Sequence, residues 1–236
     1  LKKIQLTLDP INLNVNAKTI GATIYYSKRP LQLEYISTKV SLLSLVKNKI
    51  ISTDVEIATR SILLKDLIKF IRAAKNSPEL FVLDKMIKNG QVILDLSLHF
   101  DDSGNIKKNY EIKGKLKDGK FNFLSKNTFE NINFNFNLKR DNYFFDQIKF
   151  STKNINFFSK SISLKKKKEN FYVDGVIKNN TSRLSHNFLK LFNLNLQGNN
   201  IENINFDSNS KFSFEIDKKF KLENINLNSH INIDEF

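Results

Sequence analysis

The sequence predicts a mainly β protein: a long, twisted antiparallel sheet of successive hairpins with two short amphipathic helices. Three observations predict it. Apolar residues alternate with polar ones through most of the 236 residues, as in strands that cover one face and wet the other. Turn chemistry separates the alternating runs at short intervals, as between consecutive antiparallel strands. Apolar residues at clear helical spacing occur in only two stretches.

In chain order, Ile4, Leu6 and Leu8 alternate up to Pro10, and Ile11, Leu13 and Val15 resume after it. The stretch SILLKDLIKFIRAAKN places Leu64, Leu67, Ile68 and Ile71 at helical spacing, with Ser61 as a cap and Pro78 just past the end. Glu79 to Lys88 reads as a further helical turn before Asn89-Gly90. Val92, Leu94, Leu96, Leu98 and Phe100 then run into Asp101-Asp102-Ser103-Gly104-Asn105, and Tyr110, Ile112, Gly114 and Leu116 return, so 91–117 reads as a hairpin. A second turn is expected at Lys117-Asp118-Gly119-Lys120, leading into Phe121 and Phe123.

The run NINFNFNL at 131–138 is the clearest strand: Ile132, Phe134, Phe136 and Leu138 alternate with four asparagines. Asparagine is a poor strand former, so the pattern must outweigh propensity. Phe144, Ile148, Phe150, Ile155, Phe157, Ile162 and Leu164 continue the strands, and Lys165-Lys166-Lys167-Lys168 marks an exposed hairpin tip before Phe171, Val173, Val176 and Ile177. In SRLSHNFLKLFN, Leu184, Phe188, Leu191 and Phe192 give the second helix, near 182–192. Phe206, Phe212, Phe214, Ile216, Phe220, Leu222, Ile225, Leu227, Ile231 and Ile233 close the chain in strand period. NINF recurs at 131, 154 and 203, and NINL at 224, offsets that suit a hairpin repeat slightly over 20 residues long.

Composition excludes several classes of chemistry. The 40% apolar content and 21 Phe argue against a disordered chain. No cysteine is present, which removes disulfides, thiolate metal sites and cysteine nucleophiles. His99, His186 and His230 are far apart, with no H-x-x-H or H-E-x-x-H spacing, so neither a metal nor a cofactor is expected. The run from Asp101 fails as a calcium loop, because Ile106 stands at the glycine position and no glutamate follows at the twelfth. There is no G-x-S-x-G and no glycine-rich phosphate loop among only seven glycines, and nothing nominates Asp141 and Asp146 as a catalytic pair. The reading is non-enzymatic, with no catalytic residue.

The net charge of +14 points, by itself, to nucleic acid or an anionic membrane surface. The lysines are spread along the whole chain, as an A+T-rich coding sequence also produces, and the Phe residues alternate as a covered face does. That disfavours single-strand stacking on exposed aromatics, and no nucleic-acid partner is expected. No apolar run approaches the roughly 18 residues that span a bilayer.

Several stretches resemble AsmA-like proteins. Pro30-Leu31-Gln32-Leu33-Glu34-Tyr35-Ile36, running through Leu42, Leu43, Leu45 and Val46 to ISTDVEIATRSILLKDLIKFI, is similar to that superfamily's opening β region and helical segment. YEIKGKLKDGKF, NINFFSKSISL, FYVDGVIKN and the closing SNSKFSFEIDKKFKLENINLNSHINI look like its repeated hairpins. The family, with its TamB-like and YhdP-like members, resembles bridge-like lipid-transfer proteins, whose long β-sheets form an apolar groove from an inner-membrane anchor across the periplasm.

The resemblance implies one groove segment over 1–236, a fragment of a longer chain, with 1–90 as an N-terminal β region plus helix and 91–236 as repeated hairpins. It implies phospholipid as the ligand and a periplasmic location. Anchoring would be to the inner membrane through a segment not present here, with envelope proteins as possible partners. The expected groove residues are Ile132, Phe134, Phe136, Leu138, Phe150, Ile155, Phe157, Phe206, Phe212 and Phe214, with Lys165, Lys166, Lys167 and Lys168 as weak headgroup contacts. The competing readings are a self-closed β-sandwich, serving as a structural or interaction module, and a single-stranded nucleic-acid binder.

Overall fold

A computed structural model describes residues 2–26, 29–43, 52–74, 77–101, 103–123, 127–167, 169–183, 204–217 and 221–235. The described chain is mainly β. Its strands are β1 (Lys3–Asp9), β2 (Asn14–Ile20), β3 (Thr23–Tyr26), β4 (Arg29–Ser41), β5 (Ser52–Thr59), β6 (Ile62–Leu63), β7 (Ile87–His99) and β8 (Glu111–Phe123). They continue as β9 (Asn127–Lys139), β10 (Asn142–Thr152), β11 (Ile155–Lys167), β12 (Asn170–Arg183), β13 (Ile204–Ile216) and β14 (Leu222–Glu235). Two helices, α1 (Leu64–Ala74) and α2 (Pro78–Met86), lie between β6 and β7.

All 14 strands belong to one open antiparallel sheet, ordered β1-β2-β4-β5-β7-β8-β9-β10-β11-β12-β13-β14, with β3 paired to β4 and β6 to β7. Neighbours in sequence are nearly always neighbours in the sheet, which is the meander expected of short turns between alternating runs. The expected helix near 182–192 falls largely outside the described residues.

The chain divides into two units, the first made of 1–85, 91–115 and 137–140, the second of 86–90, 116–136 and 141–236. In the first, α1 packs against β3, β4 and β6. Leu64 and Leu67 are half-buried and Ile68 is buried, as their spacing requires, while Ile71 stays exposed. Ser61 does not cap this helix. Its hydroxyl donates instead to Gln91 Oε1 at 3.1 Å, because the short strand β6 intervenes before the helix begins at Leu64. Pro78 opens α2, where its missing N–H costs nothing. Arg72 of α1 pairs with Asp84 of α2 and also lies over the Phe81 ring.

The further helical turn expected over 79–88 is present as α2, which ends at Met86, and Asn89-Gly90 follow within β7, with Gly90 at a φ of 141° that other residues avoid. One turn assignment is overturned: Lys117 to Lys120 is not a turn, because β8 runs through it. Asp118 takes a φ of 51°, and a Cβ on Gly119 would stand 3.1 Å from Ile132 Cβ. An Asp-Gly pair can make a kink inside a strand as readily as a hairpin.

Candidate functional site

In an antiparallel pair, directly opposed residues share a face, and so do residues two apart along a strand. Applied to the second unit, this rule places most of the predicted residues. Phe150 opposes Phe157, and Thr152 opposes Ile155. Phe157 opposes Asn179, and Ile162 opposes Gly175. Gly175 in turn opposes Phe212, and Val173 opposes Phe214. On the last pair, Phe212 faces Leu227 and Phe206 faces Ile233.

Because Asn179, Gly175 and Val173 alternate on β12, these residues all lie on one face. The ring contacts extend it to β9. Phe134 meets Phe145 edge-on at 5.5 Å and Phe136 at 6.2 Å, and Phe145 opposes Ile162. Phe150 stacks on Phe157 at 5.2 Å, while Phe129 meets Phe150 at 5.9 Å. Phe212 and Phe214 stack at 5.8 Å. Ile132 falls in the same alternation as Phe134, and Leu138 continues it into the part of β9 that belongs to the first unit.

Burial varies across this face. Ile155, Val173, Phe206 and Ile148 are buried, and Phe134, Phe136, Phe150, Phe157, Phe212 and Phe214 are half-buried. On β14, Ile225, Leu227, Ile231 and Ile233 remain 55–67% exposed.

Three further side chains belong to the set although alternation in the sequence did not nominate them, Phe129, Tyr143 and Phe145, and Phe171 and Val173, read as strand residues, join it as well. Tyr143 opposes Leu164, and its ring lies 6.1 Å from that of Phe171. The signal for Phe145 was hidden by Gln147, whose φ of 51° shifts the alternation of β10 by one residue. Ahead of that shift Phe145 shares the face of Ile162, while Phe144 opposes Ser163 and stands exposed on the other side.

The other face carries the amides. Asn135 Nδ2 donates to Asp146 Oδ1 at 2.8 Å, Asn131 Nδ2 to Ser151 Oγ at 3.0 Å, and Asn133 Nδ2 to the Asn131 carbonyl at 2.7 Å. The repeated motif thereby acquires a physical meaning. Asn131, Asn154 and Asn224, each the first residue of a copy, have φ of 53°, 66° and 52°. Asparagine is among the few residues besides glycine that adopt this left-handed conformation readily. At Asn224 it makes a bulge in the β13–β14 register, and at Asn154 it completes the turn from β10 to β11.

Lys165, Lys166 and Lys167 are exposed at the β11–β12 hairpin end, opposed to Tyr172, Phe171 and Asn170. Only Lys166 shares the face of Phe171, and Lys167 instead lies over the Tyr172 ring at 4.9 Å. Lys168 lies outside the described residues.

In the first unit, a depression of about 590 Å³ is lined by Lys39, Asp54, Glu56, His99 and Glu111, among others, with His99 Nδ1 2.6 Å from Asp54 Oδ1. Among the described residues no cluster of three or more side chains is arranged to hold a metal ion. The Glu111 carboxyl is held below its ordinary range, first by the Lys113 ammonium at 2.9 Å and then by hydrogen bonds from Asn137 and Lys139.

No helix among the described residues is long and apolar enough to cross a membrane. The chain matches no family model, no curated protein and no solved structure.

Proposed function

We propose that the face carrying Phe134, Phe150, Phe157, Phe206, Phe212 and Phe214 lines an apolar groove for phospholipid acyl chains. On this reading the chain is a non-enzymatic segment of an AsmA-like envelope protein. It is held at the inner membrane through an anchor outside these residues, and it contributes to lipid transport between the two membranes or to outer-membrane assembly. One observation carries the proposal: the register aligns aromatic and aliphatic side chains on a single face over β10 to β14, and that face stays open to solvent at Ile225, Leu227, Ile231 and Ile233. An apolar surface of that extent favours a lipid or protein occupant over water.

The physics suits a lipid. A run of about seven strand residues spans roughly 23 Å, comparable with an extended acyl chain. Each sequestered methylene contributes about 0.8 kcal/mol, so retention needs no specific side-chain chemistry. Native mass spectrometry with lipid extraction, on the chain purified from bacteria without detergent, tests the proposal. Phospholipid bound at a defined stoichiometry supports the groove. A monomeric apo mass would overturn it and favour a sheet that covers its own face.

A further inference from the structure

The opposite face of the second unit has a different chemistry. One row across five strands consists of Lys149, Phe158, Lys178, Asn209 and His230, each directly opposed to the next. The adjoining row sets Val176 against Lys211 and Lys211 against Asn228. Lys160 joins them, because β11 carries an extra residue between Phe158 and Ile162. Lys160, Lys178, Lys211 and His230, together with Phe158 and Val176, line one depression of about 650 Å³.

Three lysines elsewhere in the sheet are paired with carboxylates. Lys113 and Lys139 both reach Glu111, and Lys120 reaches Glu130. Among the described residues, Lys149, Lys160, Lys178 and Lys211 meet no carboxylate. The two nearest acidic residues along β12 and β13 already accept neutral donors, Asp174 from Ser163 at 2.7 Å and Asp207 from Asn232 at 3.0 Å. Lys178 and Lys211 are diagonal neighbours, a relation that puts backbones about 7–8 Å apart and lets long side chains converge on one group. Like charges so placed repel until an anion sits between them.

We infer that this depression binds a phosphate-bearing anion, with Lys160, Lys178 and Lys211 as its donors. An ammonium is a compact point charge with three N–H groups, and several converging on one site match a ligand with many acceptor oxygens and more than one negative charge. A soluble polyphosphate and a phospholipid headgroup present that same chemistry. Phe158 and Val176, both half-buried, line the depression beside these exposed lysines.

The test uses two probes, sodium tripolyphosphate by titration calorimetry and phosphatidylcholine vesicles with or without phosphatidylglycerol by co-sedimentation. The variant Lys178→Gln/Lys211→Gln is compared with Lys107→Gln/Lys108→Gln, which removes equal charge from the exposed segment between β7 and β8. Far-UV circular dichroism checks that both fold. Loss of the two site lysines should weaken tripolyphosphate binding by about tenfold or more, while the second variant stays within about twofold of the parent. Binding only to phosphatidylglycerol vesicles, abolished by the same site variant alone, supports the site and assigns the phosphate to a headgroup. No binding of either probe, or equal losses in both variants, overturns it.

Discussion

Gly175 on β12 lies directly opposite Phe212 on β13, and the ring stands where a side chain at position 175 would project. A Cβ there would come 3.0 Å from Phe212 Cζ and 2.9 Å from Ile162 Cγ1. The constraint is space, and it ties three strands together at one point. Gly175→Val should therefore destabilise the chain by about 1–3 kcal/mol through overpacking. Urea unfolding measures it, and an unchanged midpoint would show that the neighbours yield freely.

Substitutions at Phe134 and Phe136 distinguish the proposed groove from a covered core. Both rings are half-buried, and Phe134 touches Phe145. Phe134→Asp and Phe136→Asp should each abolish lipid retention while keeping the far-UV β signature, since an open face leaves a carboxylate in contact with water. Unfolding of both variants would mean that the carboxylate is buried, which counts against the groove.

The Lys153-Asn154 turn joins the opposed pair Thr152 and Ile155 with two residues at φ of 50° and 66°. Two-residue hairpin turns with positive φ at both positions favour asparagine and glycine. Asn154→Gly should leave stability nearly unchanged, and Asn154→Val should lower it by about 1–2 kcal/mol in the same unfolding assay. Equal stability of the two variants would remove the conformational argument.

Glu111 predicts a dependence on acid. Its folded pKa lies below the ordinary value of 4.5, so its contribution is complete above that value and is lost as pH falls through the lowered one. Glu111→Gln should flatten the stability curve below about pH 4.5 and lower stability at neutral pH. A variant whose acid branch matches the parent would show that Lys113 and Lys139 do not stabilise the fold through this carboxylate.

The strands were legible where alternation ran unbroken. β1 and the amide and phenyl faces of β9 are readable in Ile4, Leu6, Leu8 and NINFNFNL, because the side-chain period of a strand is two, whereas of Ile11, Leu13 and Val15 only Val15 lies in β2, the first two falling in the turn before it. Legibility failed where the period slips. Phe144 and Phe145 cannot be told apart until Gln147 is known to take a left-handed conformation, and an Asp-Gly pair at 118–119 reads equally as a turn or as a kink. The shared face of Phe150, Phe157 and Phe212 was open to inference only strand by strand, since register between strands depends on those same irregular residues. The lysine depression left no local signal at all. Its members lie from 158 to 230, and pairing across four strands is what unites them.

The bulge at Asn224 bears on how a chain like this can change length. Between the pairs Ser213–Asn226 and Glu215–Glu223, one residue of β13 stands against two of β14. Deleting Asn224 would restore one-to-one pairing, with Ile225 still opposite Phe214, and would leave every outward and inward side chain on its present side. Deleting a residue from the middle of a regular strand would invert everything beyond it. Asn224 thus marks a point at which a single-codon loss or gain can accumulate in the lineage without scrambling the sheet's two surfaces.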